Sequence, residues 1–451
     1  MESDVWTRDR VHELWRRFVN PDYVGLLESF DYGRHFTWAQ GASLRDDAGR
    51  QYTDFLAGFG VHNVGHNHPR LLRRLHEAID SPRPSMLNID ASADAGLLAE
   101  ALNRATHPQL CRTVFTSGGG EAVEAAIKAA RAATGRRMLI SCTGAWHGVS
   151  TGALSLMGDD EHKQGFGPLL ADVIHIPFGD TAALDEACRR HKPAAFFVEP
   201  IQGEGGIRVP PAEYLTAVRD VCTKTGCLMV VDEIQTGLGR TGTLFATPFD
   251  RVLPDILLVG KALSGGMVPV AACLMTAAVW SNAFSGPARC NLCAATFSGG
   301  RLAMVTGLET LRIVEEAQLP VRARKLGTTL LDGLHHLAGK HAIIKDVRGC
   351  GLLAGIEFHP AGGLLGAVIP RWARRQLFAQ VVAAVLLRDH GFITQTCGLA
   401  PTVLRIEPPL VITADEIERL LDALDKVLTA YPSYTAATGA AIRKTVLGRE
   451  L

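Results

Sequence analysis

Three short segments carry residues that could do chemistry together. After the apolar run Thr113–Thr116 come Ser117-Gly118-Gly119-Gly120, and Glu121 then opens a helix. Consecutive glycines let backbone N–H groups approach a phosphate, and a helix N-terminus adds its positive end. An ordinary tight turn would use the same residues. The apolar run Cys227–Val231 ends in Asp232-Glu233. An acid in that place is partly buried, which costs free energy unless it is paired. The run Ile256–Val259 ends in Gly260-Lys261. Desolvation would lower the pKa of that lysine and make it a better nucleophile. Asp232 and Lys261 at one edge of one sheet are open to two readings. One is a plain ion pair. The other is a site for pyridoxal phosphate: the lysine amine forms an imine with the cofactor aldehyde, the aspartate keeps the pyridine nitrogen protonated, and the glycine loop binds the phosphate.

These residues need a frame to position them. Thr113–Thr116, Met138–Cys142, Ala194–Val198, Cys227–Val231 and Ile256–Val259 read as buried strands, separated by stretches with helical spacing. The clearest such stretch is Glu121–Arg131, with Ala122, Ala125, Ala126 and Ala129 on one side and Glu124 four residues before Lys128, a favourable helical pair. Strand–helix alternation argues for an α/β fold with a mostly parallel sheet covered by helices on both faces. Such sheets bind ligands beyond the carboxyl ends of their strands. The flanks differ. Leu44–Phe55 predicts a hairpin turning at Asp46-Asp47-Ala48-Gly49. After about Gln318 a long helical stretch leads to Ile343–Val347, Leu352–Glu357 and Val403–Ile406, a small α+β unit that the N-terminal piece could join. The expected division is 1–64 as an N-terminal segment of the small domain, 65–330 as the large domain and 331–451 as the C-terminal small domain. The tail Tyr434–Leu451 is rich in Ala and Thr and shows no clear period.

Composition narrows the function classes. The chain has 451 residues, with 46 Lys plus Arg against 46 Asp plus Glu, so its formal charge is zero. That balance removes the electrostatic argument for nucleic acid or an anionic membrane as main partner. An apolar share of 47% with 20% charged residues reads as globular. The longest uncharged stretch, Ala262–Ala288, has its apolar part at Met267–Trp280, interrupted by Pro269 and Thr276. It falls short of the roughly 20 residues that span a bilayer. Charged residues near the N-terminus leave no room for a signal peptide. Ten cysteines sit mostly in apolar segments, which fits the reducing cytoplasm. The single CxxC, Cys290 to Cys293, has no second pair to complete a zinc site, and no metal is expected.

A set of motifs then occurs in one order along the chain: DFLAGFGVHNVGH, SGGGEAVEAAIKAAR, GAWHG, VEPIQGEGG, VVDEIQTGLGRTG, GKALSGG, ATFSGG and LRIEPPLVIT. In these the chain resembles the class III aminotransferases, the group of ornithine, acetylornithine, 4-aminobutyrate and putrescine aminotransferases, over roughly residues 35 to 425. The resemblance implies a fold-type I enzyme that uses pyridoxal 5'-phosphate. It makes Lys261 the Schiff-base lysine and proton shuttle, and pairs Asp232 with the pyridine nitrogen. Gln235 would bond the phenolic oxygen, Gly119 and Gly120 the phosphate, and Trp146 would stack on the ring where the family usually has Phe or Tyr. Thr296 would reach the phosphate in the neighbouring subunit, which implies a homodimer with shared active sites. Arg405 would clamp a substrate carboxylate, and Glu204 would mask its charge when an amine without a carboxylate there is bound.

Three positions depart from the family pattern. Ser117-Gly118-Gly119-Gly120 replaces the common Asn-Ser-Gly-Thr or Asn-Ser-Gly-Ala, and loses a phosphate-binding hydroxyl. Val149 stands where ornithine-type members carry Arg, which speaks against ornithine or acetylornithine as substrate. Ser298-Gly299-Gly300-Arg301 replaces Gly-Gly-Asn-Pro. The expected reaction is ping-pong transfer of an amino group, from a terminal amine or amino acid, to a keto acid such as 2-oxoglutarate or pyruvate. Aminomutases, racemases and decarboxylases of the same family are the alternatives. Other motifs give weaker readings. Gly237–Gly242 fits GxGxxG but does not directly follow its strand, and Gly148–Gly152 fits the GxSxG of a serine hydrolase using Ser150. His62, His66 and His68 resemble a metal cluster but read better as a turn before a helix, and Arg73-Arg74 and Arg136-Arg137 as solvated faces.

Overall fold

The computed structural model describes residues 6–86, 89–293, 295–360 and 371–434. The described residues form the strands β1 (Phe36–Gln40), β2 (Ser43–Asp46), β3 (Gln51–Asp54), β4 (Arg112–Thr116), β5 (Leu139–Cys142), β6 (Val173–Ile176), β7 (Ala195–Val198), β8 (Leu228–Asp232), β9 (Ile256–Val259), β10 (Ala271–Met275), β11 (Ile344–Cys350), β12 (Leu353–Phe358), β13 (Phe392–Ile393), β14 (Gln395–Thr396) and β15 (Val403–Ile406). Seven of them form the central sheet in the order β4-β10-β9-β8-β7-β5-β6. Only β10 runs against its neighbours, so the carboxyl ends of β4, β5, β7, β8 and β9 share one edge.

Burial on both faces explains why these strands read as unbroken apolar runs. Alternate residues point to opposite faces. Ile140, Phe196, Val198, Met229, Val231, Leu257 and Val259 join one core, with Leu98, Leu184, Val218 and Leu311 from helices. Leu139, Ala195, Phe197, Val230, Ile256 and Leu258 join the other, with the alanine face of the helix Gly119–Thr134. That helix begins two residues before Glu121, at Gly119.

The local pair expected between Glu124 and Lys128 does not form. Glu124 Oε1 instead accepts from Ser150 Oγ and the N–H groups of Gly152 and Ala153 at 2.7, 2.7 and 3.2 Å. Three donors at the start of the helix Thr151–Leu156 outweigh one flexible lysine across a helical turn. Lys128 Nζ turns to Leu292 O. Arg136 is likewise not a solvated face, because its Nη1 donates to the carbonyls of Pro193, Thr225 and Gly226.

The flanking segments build two further sheets. In one, β11-β12-β15-β14, Arg405 stands on β15 opposite Gly355 and Gln395. In the other, β1-β2-β3-β13, the N-terminal hairpin is completed by the C-terminal strand β13, which pairs in parallel with β3. The hairpin turn closes with Gly49 N–H on Asp46 O, and Asp46 Oδ1 accepts from the N–H groups of Ala48 and Arg50. Residues 435–451, most of the tail, lie outside the described residues.

One side chain ties these parts together. Arg240, within Gly237–Gly242, is fully buried. Its Nη1 donates to Leu352 O and Pro408 O, and its Nη2 to Asn63 Oδ1. Asn63 Nδ2 donates in turn to Leu238 O. This is the structural use of the glycine-rich segment. Removing the guanidinium would strand these buried acceptors. We expect Arg240→Ala to cost about 3–5 kcal/mol of stability, and Arg240→Lys less, because it keeps the charge without the fork. Denaturant unfolding checks this; a loss under about 1 kcal/mol for Arg240→Ala would refute the anchoring role.

Candidate active site

The chemistry-bearing residues converge on the carboxyl edge of the central sheet. Asp232 is the last residue of β8, and Lys261 follows β9 by two positions. Lys261 adopts φ 42°, a left-handed conformation that is costly for a residue with a Cβ and is found where surrounding structure enforces it. Ser264 Oγ donates to Lys261 O at 2.7 Å and closes the turn. Burial lowers the Lys261 pKa from its ordinary value, opposed most by Glu407 and then by Glu204.

Asp232 Oδ2 lies 2.8 Å from His147 Nδ1, and its Oδ1 accepts from Ile234 N–H at 3.0 Å. Burial alone would lower the His147 pKa, yet the bond to Asp232 and the charges of Asp232 and Glu199 together outweigh it, and the net shift is upward. His147 Nε2 is buried with no partner among the described residues. Beside them, Glu199 accepts from Trp146 N–H and Gly203 N–H, both at 3.1 Å. Burial pushes the Glu199 carboxyl up to about 7. These contacts join the loops after β5, β7 and β8. Trp146 is partly buried, and its edge lies near Gly398.

Beyond the end of β4 lies a helix N-terminus. Gly118 caps the helix Gly119–Thr134 without any side-chain bond. The N–H groups of Gly119 and Gly120 make no hydrogen bond among the described residues, while Ser117 N–H is taken by Glu121 Oε2 at 2.8 Å. Free N–H groups at a helix start are an anion site. Thr296 is exposed, on the segment before the helix Arg301–Glu316, and makes no hydrogen bond to the other candidate residues.

The far side of the site holds buried charge. Arg405 Nη2 lies 2.5 Å from Glu204 Oε2, which also accepts Gly398 N–H at 2.7 Å. Burial works to raise the Glu204 carboxyl, but the Arg405 guanidinium outweighs it and holds it below the usual range. Arg405 also lies 3.6 Å from Glu407, and the Phe59 ring sits over its guanidinium at 5.1 Å. Phe59 itself has a left-handed backbone, φ 62°. Asp54 holds this turn, its Oδ1 accepting the N–H groups of Leu56 and Ala57, both at 2.8 Å. Gln235 Nε2 donates to both Glu407 oxygens, at 3.2 and 3.0 Å.

These groups match pyridoxal phosphate in kind. Unpaired backbone donors stand where a phosphate would sit, a buried carboxylate and an amine lie at neighbouring strand ends, and the unaligned nitrogens of Arg405 suit a substrate carboxylate. The sequence reading assigned no role to His147, Glu199, Phe59 or Glu407. All four lie inside the quoted motifs, so the signal was present, but only the fold reveals what each one touches. The rival motifs have other uses. Ser150 is bonded to Glu124. His66 pairs with Asp54 at 2.8 Å and stacks on His62, and burial pushes the His62 pKa down to about 4. Among the described residues no group of acids, histidines and cysteines is placed to hold a metal, and no helix is long and apolar enough to cross a membrane.

Comparison with known proteins agrees with this geometry. The family model for class III aminotransferases matches residues 31–428. The chain is 34% identical to the aminotransferase PigE of Serratia sp. (strain ATCC 39006), over 93% of this chain and 53% of PigE, and so spans about half the length of that relative. It superposes on the ornithine aminotransferase of Toxoplasma gondii ME49 with a TM-score of 0.82 at 31% identity, covering 95% of this chain and 96% of that one. An amine transaminase from an uncultivated Pseudomonas species, solved with pyridoxal phosphate bound, gives 0.77 at 28% identity, covering 88% and 95%. The sheet and its flanking units are therefore a fold-type I arrangement. A match spanning nearly the whole chain, on a sheet edge built in this way, shows that the chain belongs to the class III aminotransferase family.

Proposed function

We propose that this chain is a pyridoxal phosphate-dependent transaminase that takes its amino group from a donor whose reacting amine is on a terminal carbon, and passes it to a keto acid such as pyruvate or 2-oxoglutarate. The observation that carries this reading is the buried contact of Arg405 with Glu204 at 2.5 Å. A guanidinium masked by a movable acid suits two partners in turn: a donor with no carboxylate there, then a keto acid whose carboxylate takes the place of Glu204. Val149 supports the same reading, being apolar and 68% exposed, with no charge to offer a second carboxylate.

Pyridoxal phosphate, when bound, supplies an aldehyde that takes up the amino group and a ring that stores an electron pair. The chain's own residues do the rest. Lys261 Nζ, its pKa lowered by burial, takes the proton from the donor carbon and later returns one to the keto acid carbon. Asp232, positioned by His147, would face the pyridine nitrogen. Gly119 and Gly120 N–H groups would hold the phosphate, and Trp146 and Gln235 would hold the ring. One site serving both halves of the reaction gives ping-pong kinetics.

Thr296 supports a homodimer: a hydroxyl at a candidate phosphate position is of use from an exposed loop only if a second subunit brings it in. Ten unpaired cysteines support a reducing, cytoplasmic setting. For the domains we keep 1–64, 65–330 and 331–451, with the helix Leu319–Lys340 as the bridge between the last two.

Four outcomes are expected. Borohydride fixes the cofactor to Lys261, and Lys261→Ala abolishes turnover; an adduct mapped to another lysine would sink the assignment. Asp232→Asn lowers turnover by several powers of ten, each about 1.36 kcal/mol; a drop under about tenfold would remove Asp232 from the role. Sedimentation shows a symmetric dimer as the smallest active species, and a fully active monomer would contradict it. In kcat/KM, putrescine and longer ω-amino compounds exceed ornithine and acetylornithine, and the reverse order overturns the donor reading.

A further inference from the structure

Glu407 lies just past β15, two positions after Arg405, and is completely buried. It is held on several sides. Its Oε2 lies 3.6 Å from Arg405 Nη1 and its Oε1 3.8 Å from Arg240 Nε. Gln235 Nε2 donates to both oxygens. Its own N–H donates to Phe55 O at 2.7 Å. A Cβ on Gly60, which has φ +83°, would run into Oε1, so the turn carrying Phe59 packs its backbone directly on this carboxylate.

The two guanidinium groups beside Glu407 differ in what they lack. Arg240 already donates to Leu352 O, Pro408 O and Asn63 Oδ1. Arg405 has no nitrogen in an aligned hydrogen bond among the described residues, although two carboxylates stand close to it. Its donors open to an incoming anion once Glu204 leaves, while its charge is already shared. The two carboxylates also differ. Glu204 keeps some exposure, at 12% of its side chain, and can yield its place. Glu407 has none, and is fixed by Gln235 and the Gly60 turn. When a substrate carboxylate displaces Glu204, Glu407 stays.

We propose that Glu407 is a specificity-determining residue: a fixed second carboxylate that keeps Arg405 partly neutralised, so that the site favours donors with no carboxylate on the reacting carbon and holds α-carboxylates only loosely. This rests on the terminal-amine reading above and gives it a second determinant besides Val149. Charges at such separations inside a protein change the binding of a competing anion by about tenfold to a hundredfold.

The test uses the cofactor-loaded enzyme and two readouts. One is the dissociation constant of glutarate, a carboxylate that cannot react, followed by the visible absorbance of the bound cofactor. The other is the ratio of kcat/KM for alanine to that for putrescine. Glu407→Gln should tighten glutarate and raise the ratio by about tenfold or more. In an Arg405→Gln background the effect of Glu407→Gln on glutarate should vanish, as a double-mutant cycle requires if the carboxylate acts through Arg405. Unchanged glutarate binding, equal changes for both donors, or an effect that persists without Arg405 each overturns the proposal in favour of a purely structural role. Should Glu407→Gln fail to retain cofactor, Glu407→Asp decides: the shorter carboxylate draws back from Arg405, so the ratio must rise, and an unchanged ratio overturns the proposal. A wild-type preference for alanine would defeat the terminal-amine reading alone, since the glutarate affinities still report on Glu407.

Discussion

Two guanidinium groups, those of Arg240 and Arg405, are buried without any exposure to water. A buried charge is tolerated only when it is paired and hydrogen-bonded, and breaking one such arrangement leaves the surviving charge uncompensated. Distant parts of the chain therefore have to meet. Asn63 comes from the N-terminal turn, Leu352 and Pro408 from the C-terminal unit, Glu204 from the loop after β7, and Glu407 from the end of β15. Apolar burial brings the small unit against the large sheet, but it is indifferent to small shifts. The charges are not, and they fix how the substrate end of the site is built.

The other end of the site solves a different electrostatic problem. Asp232, Glu199 and His147 share one dry region at the edge of the sheet. Two ionised carboxylates so close together would repel. Burial raises Glu199 toward neutrality, while the bond to Asp232 keeps His147 inclined to hold its proton. Glu199 also fixes two loops by accepting a backbone N–H from each, so one residue contributes both to charge and to shape.

How much of this was legible in the sequence follows from how each feature is encoded. The strands of the parallel sheet are continuous apolar runs, and β9 ends where the run ends, at Val259. Asp232 and Lys261 stood out because polar residues directly follow such runs. The hairpin was announced by its turn residues. By contrast, the contacts of His147, Glu199 and Glu407 connect loops from different strands, and neither periodicity nor local spacing encodes them. The Glu124–Lys128 pair failed for a related reason: a rule about neighbours on one helix cannot see a second helix start that offers three donors. Arg136, with three carbonyls to serve, was hidden in the same way.

The pairing of β13 with β3 has a consequence for how the molecule comes into being. Phe392 lies beside Thr53, and Phe55 N–H is taken by Ile393 O. The turn that presents Phe59 begins at that point, so its support is missing until Phe392 and Ile393 have been made. During synthesis the N-terminal hairpin must wait with an open edge, while the central sheet can assemble from residues already available. Closing so long a loop is entropically costly and comes late. The wall of Phe59 and Arg405 is therefore the last part of the site to form. A nascent chain that already has Lys261 and Asp232 in place still lacks Arg405, Glu407 and the support for Phe59.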